Sequence, residues 1–303
     1  MKISICIPVF NSENTIAPLV SAIETALYGY EFEFILVNDG SSDLSEKVCE
    51  DLAKKNPKVG FISLAKNFGE HNAVMCALNH ISGDCAVIVD DDFQNPPCEI
   101  EKLVDELSIG YDVVYSKYVV KRHHVFRNIG SKFNDLLCTW LLGKPKNLYL
   151  SSFKAIRRET VDEIIKYSGP FPYIDGLILR ATNCISSINI EHVSRQAGQS
   201  NYTFGKLMSL WLNMFINFSI KPLRLFTLLG LVVSLISFCM IIILIIHRLS
   251  NPDEQVGWTS VIVTITFFAG LQTMFLGLVA EYLGKNYLTT NRTPQWVIRK
   301  KTF

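Results

Sequence analysis

Three consecutive aspartates, Asp90–Asp92, close an apolar run in "AVIVDDDFQNPP" (86–97). Unit charges ~4 Å apart repel by about 4 kcal/mol at an effective dielectric near 20, so such a triplet calls for a cation. Oxygen donors of this kind suit Mg²⁺ or Mn²⁺. In an extended chain Asp90 and Asp92 would project to one side and Asp91 to the other, so D-x-D could share one ion. Mg²⁺ keeps one or two protein carboxylates and completes its shell with substrate phosphate, which suggests a diphosphate-bearing substrate. Solvated loop acids are the competing reading.

Two other groups could do chemistry. Asp39, in "LVNDGSSD" (36–43), is a lone carboxylate at a strand end. It could accept from base N–H groups or ribose hydroxyls, or close an Asx-type turn. From Val113 to Asn134 the chain carries Lys117, Lys121, Arg122, Arg127 and Lys132 and no acid. Arg127 and Ser131 are four apart and would share a helix face, where guanidinium and hydroxyl together grip a phosphate. A solvated basic helix is the alternative.

The elements that must position these residues follow from apolar patterning. Strand-length runs at 3–9, 32–37, 59–65, 85–90 and 111–118 alternate with helical patterns near 14–27, 43–55, 69–81 and 97–108. Ser42-Asp43, with Glu46 one turn in, reads as the cap of the second helix. Continuous apolar strands separated by helices predict a mostly parallel α/β sheet covered on both faces. Ligands bind beyond the carboxyl ends of such strands, where Asp39 and Asp90–Asp92 both fall.

The 303-residue chain has a formal net charge of +1, which gives no field directed at nucleic acid. Its mean hydropathy of +0.24 arises in the last third. Residues 204–224 are apolar, aromatic and basic without an acid, which predicts amphipathic helices on a membrane surface. Two long, nearly uncharged runs follow, at 225–246 and 258–280, each long enough to span a bilayer as a helix. The connector holds one Arg against an Asp and a Glu, while the segments outside the runs are basic. The positive-inside rule then puts both termini in the cytoplasm. No signal peptide precedes "MKISICIPVF". The expected domains are 1–200 catalytic, 201–223 juxtamembrane, 224–284 a transmembrane hairpin and 285–303 a basic cytoplasmic tail. The eight cysteines form no C-x-x-C pair and mostly lie in apolar runs, which favours buried small hydrophobes over zinc or disulfides.

Four stretches in order, "IPVFNSENT" (7–15), "LVNDGSSD" (36–43), "VDDDFQNPP" (89–97) and "RQAGQSNY" (195–202), resemble the family-2 glycosyltransferases of the Rossmann-like GT-A fold. The likeness is greatest to membrane-anchored polyprenyl-phosphate sugar synthases, the dolichol-phosphate mannose synthase, GtrB and ArnC group. It extends to "NFGEHNAVMCAL" (67–78), "FSIKPLR" (218–224) and "LGLVAEYLG" (276–284). The resemblance implies that Pro8, Phe10, Val37 and Asp39 line the nucleotide pocket, with Asp91 near it. It assigns Asp90, Asp92 and Gln94 to metal and diphosphate, and Arg195 and Asn201 to the donor. Lys117, Arg127 and Ser131 fall at acceptor-phosphate positions.

The expected activity is sugar transfer, with inversion, from a nucleotide-sugar (a UDP donor by analogy) to undecaprenyl phosphate at the inner membrane. Homo-oligomers are a family property that the likeness extends to this chain. Four positions depart from the pattern: Ser12 for Glu, Lys117 for Arg, Asn201 for Lys, and Ser152 for an Asp regarded as a candidate base. A phosphate monoester's second pKa is ~6, so the acceptor is already anionic and needs no base. A processive polysaccharide synthase is the second reading, disfavoured by two spans and no Q-x-x-R-W. A non-catalytic nucleotide-sugar-binding subunit is the third.

Overall fold

The computed structural model describes residues 1–118, 139, 144–145, 148–190, 221–250 and 257–303. These divide into two units, Met1–Thr203 with Arg292–Phe303, and Phe204–Asn291.

The first unit opens with four strand–helix repeats: β1 (Lys2–Val9), α1 (Ile16–Ala26), β2 (Glu31–Asn38), α2 (Ser45–Lys55), β3 (Val59–Leu64), α3 (Glu70–Leu78), β4 (Cys85–Ile88) and α4 (Glu99–Ser108). It continues through β5 (Val113–Tyr118), β6 (Lys154–Arg157), α5 (Arg158–Ile164), α6 (Ile174–Ala181) and β7 (Ile185–Ile190). Strand β1 explains why the sheet is covered on both faces. Its odd residues Ile3, Ile5, Ile7 and Val9 pack with Ile16, Leu19 and Ile23 of α1 and Ile100 and Leu103 of α4. Ser4 and Cys6, which point the other way, are also fully buried. Helix α3, buried from Asn72 to Leu78, packs against β1 and β2. Each wholly buried Ile or Leu contributes about 1.5–3 kcal/mol.

The eight-stranded sheet has the order β7-β5-β6-β4-β1-β2-β3-β8. Parallel pairing joins β1 to β2 and β4, β2 to β3, and β5 to β7. The sequence predicts a mostly parallel sheet. The structure is more mixed, because β6 runs antiparallel between β4 and β5. Strand β8 (Ile298–Lys301) adds antiparallel to β3 at the edge.

The segment that ends in β8 is held to the first unit. Gln295 Nε2 donates to the carbonyls of Tyr167 and Gly169, both at 2.7 Å. The Ala65 amide donates to Val297 O, and Arg299 Nη2 donates to Ala65 O at 2.6 Å. Lys300 pairs with Glu50 of α2, and the Phe303 ring lies against Gly60.

The second unit contains helices α7 (Lys221–Ser250) and α8 (Trp258–Thr290), which coincide with the two apolar runs. Among the described residues one stretch, Thr264–Thr290, is long and apolar enough to cross a membrane. The expected juxtamembrane helices lie almost wholly outside the described residues.

Cys6, Cys49, Cys76 and Cys85 are free and buried, whereas Cys98, Cys184 and Cys239 are free and exposed, so burial holds for only part of the expected set. Burial pushes the Cys49, Cys76 and Cys85 thiols up to about 12.

Candidate active site

The loops that leave β1, β2, β3 and β4 meet at the carboxyl ends of those strands and are tied to one another by hydrogen bonds. Asn11 N donates to Ser41 Oγ (3.0 Å), Ser12 N to Ser45 Oγ (2.7 Å) and Ser42 N to Asn11 Oδ1 (2.9 Å). Glu13 Oε2 accepts from Leu44 N at 2.9 Å, and Asp43 accepts from Ser45 N and Glu13 N. Asp43 thus caps the first turn of α2 from outside it, one residue before the Leu44 cap position.

Strand β4 ends at Ile88, so the triplet lies in a turn rather than an extended segment. The turn gives each acid its own partners. Asp90 Oδ2 accepts from Ser152 Oγ (2.5 Å) and Asn95 Nδ2 (3.3 Å). Asp91 turns toward β1, accepting from Phe10 N at 3.0 Å and from the Ser12 hydroxyl. Asp92 Oδ1 accepts from Gln94 N at 3.1 Å. The backbone is strained on both sides of the cleft, with φ of +61° at Phe93 and +55° at Asn11. A left-handed non-glycine residue costs about 1–3 kcal/mol and persists where the surroundings enforce it.

The charges are crowded. Burial, then Glu70 and, less strongly, Asp92 and Asp91, raise the Asp90 carboxyl to about 7, although the Ser152 hydroxyl favours its ionised form. Burial likewise lifts Asp91 against the bonds from Ser12 and Phe10. Glu70, the first residue of α3, is raised by burial and by Asp175, Asp91 and Asp92, with Lys154 opposing. Behind this row lies a buried network. Lys154 of β6 is paired with Asp175 of α6, whose Oδ1 also accepts from Tyr115 OH at 2.9 Å. The Lys154 ammonium stands 5.0 Å from the Tyr115 ring centre. His71, edge-on to Tyr173 at 5.2 Å, is pushed down to about 4 by burial and is neutral at physiological pH.

This donor set fits a hard divalent cation. Among the described residues no three His, Cys, Asp or Glu side chains converge as a ready-made cage. A site with one or two carboxylates, completed by substrate oxygens, is the usual one for Mg²⁺. Asp90 and Asp92 would hold the ion; Asp91 is committed to the β1 loop.

The expected nucleotide residues behave differently from one another. Pro8 and Val37 are register partners on β1 and β2, and Phe10 is exposed at the cleft. Val37 has no accessible surface. Asp39 is 3% exposed, and its two oxygens accept from Phe68 N (2.7 Å) and Gly69 N (2.9 Å). Burial raises its carboxyl and those two amides oppose the shift. The side-chain bond across this turn is made by Asn38, whose Oδ1 accepts from Ser41 N at 3.3 Å. At Gly40, with φ of +67°, a Cβ would lie 2.5 Å from Asn67 N, so only glycine lets these loops meet.

Of the residues expected to meet the acceptor, Lys117 is exposed on β5, and the neighbouring Ser116 hydroxyl donates to Ser151 Oγ at 2.8 Å. Arg127, Ser131, Arg195 and Asn201 lie outside the described residues. Sequence reasoning missed Glu70, His71, Lys154 and Asp175. The one available signal was an acid and a histidine, Glu70-His71, opening an otherwise apolar helix.

Residues 4–165 match Glycosyl transferase family 2, and residues 221–285 match the GtrB C-terminal hairpin. Over 304 residues the chain is 30% identical to an undecaprenyl-phosphate 4-deoxy-4-formamido-L-arabinose transferase of Klebsiella pneumoniae (strain 342). That match covers 99% of this chain and 93% of the relative. It is 29% identical, with the same coverage, to the protein of that description from Enterobacter sp. (strain 638). Among solved structures it is similar in fold to glucosyl-3-phosphoglycerate synthase from Mycobacterium tuberculosis, crystallised with Mn²⁺, UDP and phosphoglyceric acid. There the TM-score is 0.52 at 22% identity, covering 71% of this chain and 76% of the other.

Proposed function

The chain belongs to glycosyl transferase family 2 and carries the GtrB-type hairpin, and from that premise we propose that this glycosyltransferase moves a sugar from a nucleotide-sugar, UDP-linked, to undecaprenyl phosphate. The observation that carries this reading is the crowded row Asp90–Asp92 at the strand ends, whose charge calls for a cation and a diphosphate. The names of the full-length relatives support the acceptor.

In this reading Asp90 and Asp92, with Gln94 beside them, hold Mg²⁺ or Mn²⁺, which would neutralise the leaving diphosphate when bound. Ser152 and Asn95 both bond one oxygen of Asp90, so the other would be the one to meet the ion. Phe10 and Pro8 receive the base, and Asp91 fixes their loop. Arg195 and Asn201 contact the donor phosphates. Lys117, Arg127 and Ser131 bind the lipid phosphate and lower its repulsion from the donor. An acceptor phosphate oxygen attacks the anomeric carbon as the bond from that carbon to the diphosphate oxygen breaks. The configuration inverts and a nucleoside diphosphate leaves. Both long helices cross the inner membrane as a hairpin, with the catalytic unit and both termini in the cytoplasm.

Turnover of radiolabelled nucleotide-sugar with undecaprenyl phosphate tests the reading. Product formation that stops on chelation, returns with Mg²⁺ and is absent in Asp92→Ala is expected. Donor binding without any lipid-linked product would refute it.

A further inference from the structure

We infer that Ser152 is a positioning residue for the cation site: with Asn95 it fixes one oxygen of Asp90, so that the carboxylate meets the ion through the other. The inference rests on the glycosyltransferase reading above and deepens it by giving Ser152 a role in that site.

The sheet itself brings this hydroxyl to Asp90. Strands β4 and β6 run antiparallel, with Ile88 opposite Lys154. Carried on past that last pair, the same register sets Asp90 against Ser152. The residues on either side of Ser152 are fixed by neighbouring elements. Ser151 Oγ accepts from the Ser116 hydroxyl of β5 at 2.8 Å and from Phe153 N at 3.3 Å. Phe153 is fully buried in the core, and its carbonyl accepts from Ser116 N at 3.1 Å. Lys154 is buried and paired with Asp175. Ser152, held between them and half-buried, donates to Asp90 Oδ2 at 2.5 Å.

The bond is aimed at one oxygen of the two. Asn95, 2% exposed, donates to the same Oδ2 at 3.3 Å. Among the described residues Asp90 Oδ1 accepts no hydrogen bond. Two donors on Oδ2 oppose rotation of the carboxyl about its last torsion, so its plane and its free oxygen are set before a ligand arrives. A hydroxyl suits this task. It donates to a carboxylate, adds no charge to the acid row, and bonds an anion more strongly than a neutral acceptor. Carboxylates that ligate metals are commonly held by such outer bonds, and losing one weakens metal binding about 10- to 100-fold. Were Ser152 only satisfying a buried acid, its loss would destabilise the metal-free protein and leave cation affinity alone.

Titration of the full-length protein in detergent with Mn²⁺, in the presence of UDP, separates the two roles; free Mn²⁺ is read by its electron paramagnetic resonance signal. Ser152→Ala should weaken Mn²⁺ binding about 10- to 100-fold. Ser152→Thr, which keeps the hydroxyl, should stay within about 3-fold of wild type by the same argument. The Mg²⁺ concentration that half-activates sugar transfer should rise in Ser152→Ala by the factor seen with Mn²⁺. Wild-type Mn²⁺ affinity in Ser152→Ala, even with a lowered Tm in EDTA, would overturn the inference. Equal weakening in Ser152→Ala and Ser152→Thr would also overturn it, since the hydroxyl would then not be the operative group. Both results leave sugar transfer by the wild type standing. A wild-type protein that binds no Mn²⁺ with UDP would instead remove the cation from the reading above, and the inference with it, so the two failures are told apart.

Discussion

Replacing Asp90 by Asn should make the metal-free protein more stable while abolishing its activity. The Asp90 carboxyl is raised from 3.8 to about 7 by burial and by Glu70, Asp92 and Asp91. That gap of about 3 pH units corresponds to roughly 4 kcal/mol at ~1.4 kcal/mol per unit, as a ceiling. Two effects reduce it. The field is shared with three neighbouring acids, and Asn accepts the Ser152 hydroxyl without the charge that strengthens the bond. A net gain of about 1–2 kcal/mol is expected, a shift of roughly 2–6 °C in Tm. The sign with pH follows from linkage. The folded state binds this proton more tightly than the unfolded chain, so wild-type stability declines as pH rises from about 4 to about 7. The advantage of D90N should therefore be absent near pH 4 and complete above pH 7. The assay is thermal unfolding of full-length protein in detergent with EDTA, from pH 4.5 to 8, beside turnover with Mg²⁺. A variant that melts below wild type at pH 8, or whose advantage does not shrink on acidification, would show that the carboxylates are not in conflict.

Gly40→Ala should cost about 2–4 kcal/mol, because its Cβ would meet the backbone at Asn67 and Lys66 with φ at +67°; a drop in Tm checks it. Lys154→Met should cost about 3–5 kcal/mol by leaving Asp175 charged and uncompensated. The double variant K154M/D175N should recover part of that loss in chemical denaturation. Asp39→Ala should leave the Phe68 and Gly69 amides unpaired and cost about 1–3 kcal/mol, with weaker donor binding by calorimetry because the loop before Glu70 loosens.

The first four strand–helix repeats were legible because each strand is buried on both sides and so reads as an unbroken apolar run. The later strands were not. Strand β6 is four residues with a lysine at its start, and β8 is "IRKK", fully exposed and held by backbone pairing to β3. No apolar pattern marks such a strand. The triplet was recognisable as a site by residue type, but the alternation assumed for it depended on an extended chain, and β4 stops two residues earlier. Asp39 stands where the pattern put it, yet it serves the loop after β3, a role set by contacts 29 and 30 residues away. Glu70 escaped notice because a lone acid opening a helix is an ordinary sequence feature.

Strand β8 has a consequence for biosynthesis. It is translated after both apolar helices, so until the last residues leave the ribosome β3 has an unpaired edge, and the backbone groups of Phe61 and Ala65 lack their eventual partners. The sheet unit is thus completed only once both long apolar helices have been made. A chain cut short within those helices would carry Asp90–Asp92 and still present a sticky sheet margin for quality control to recognise.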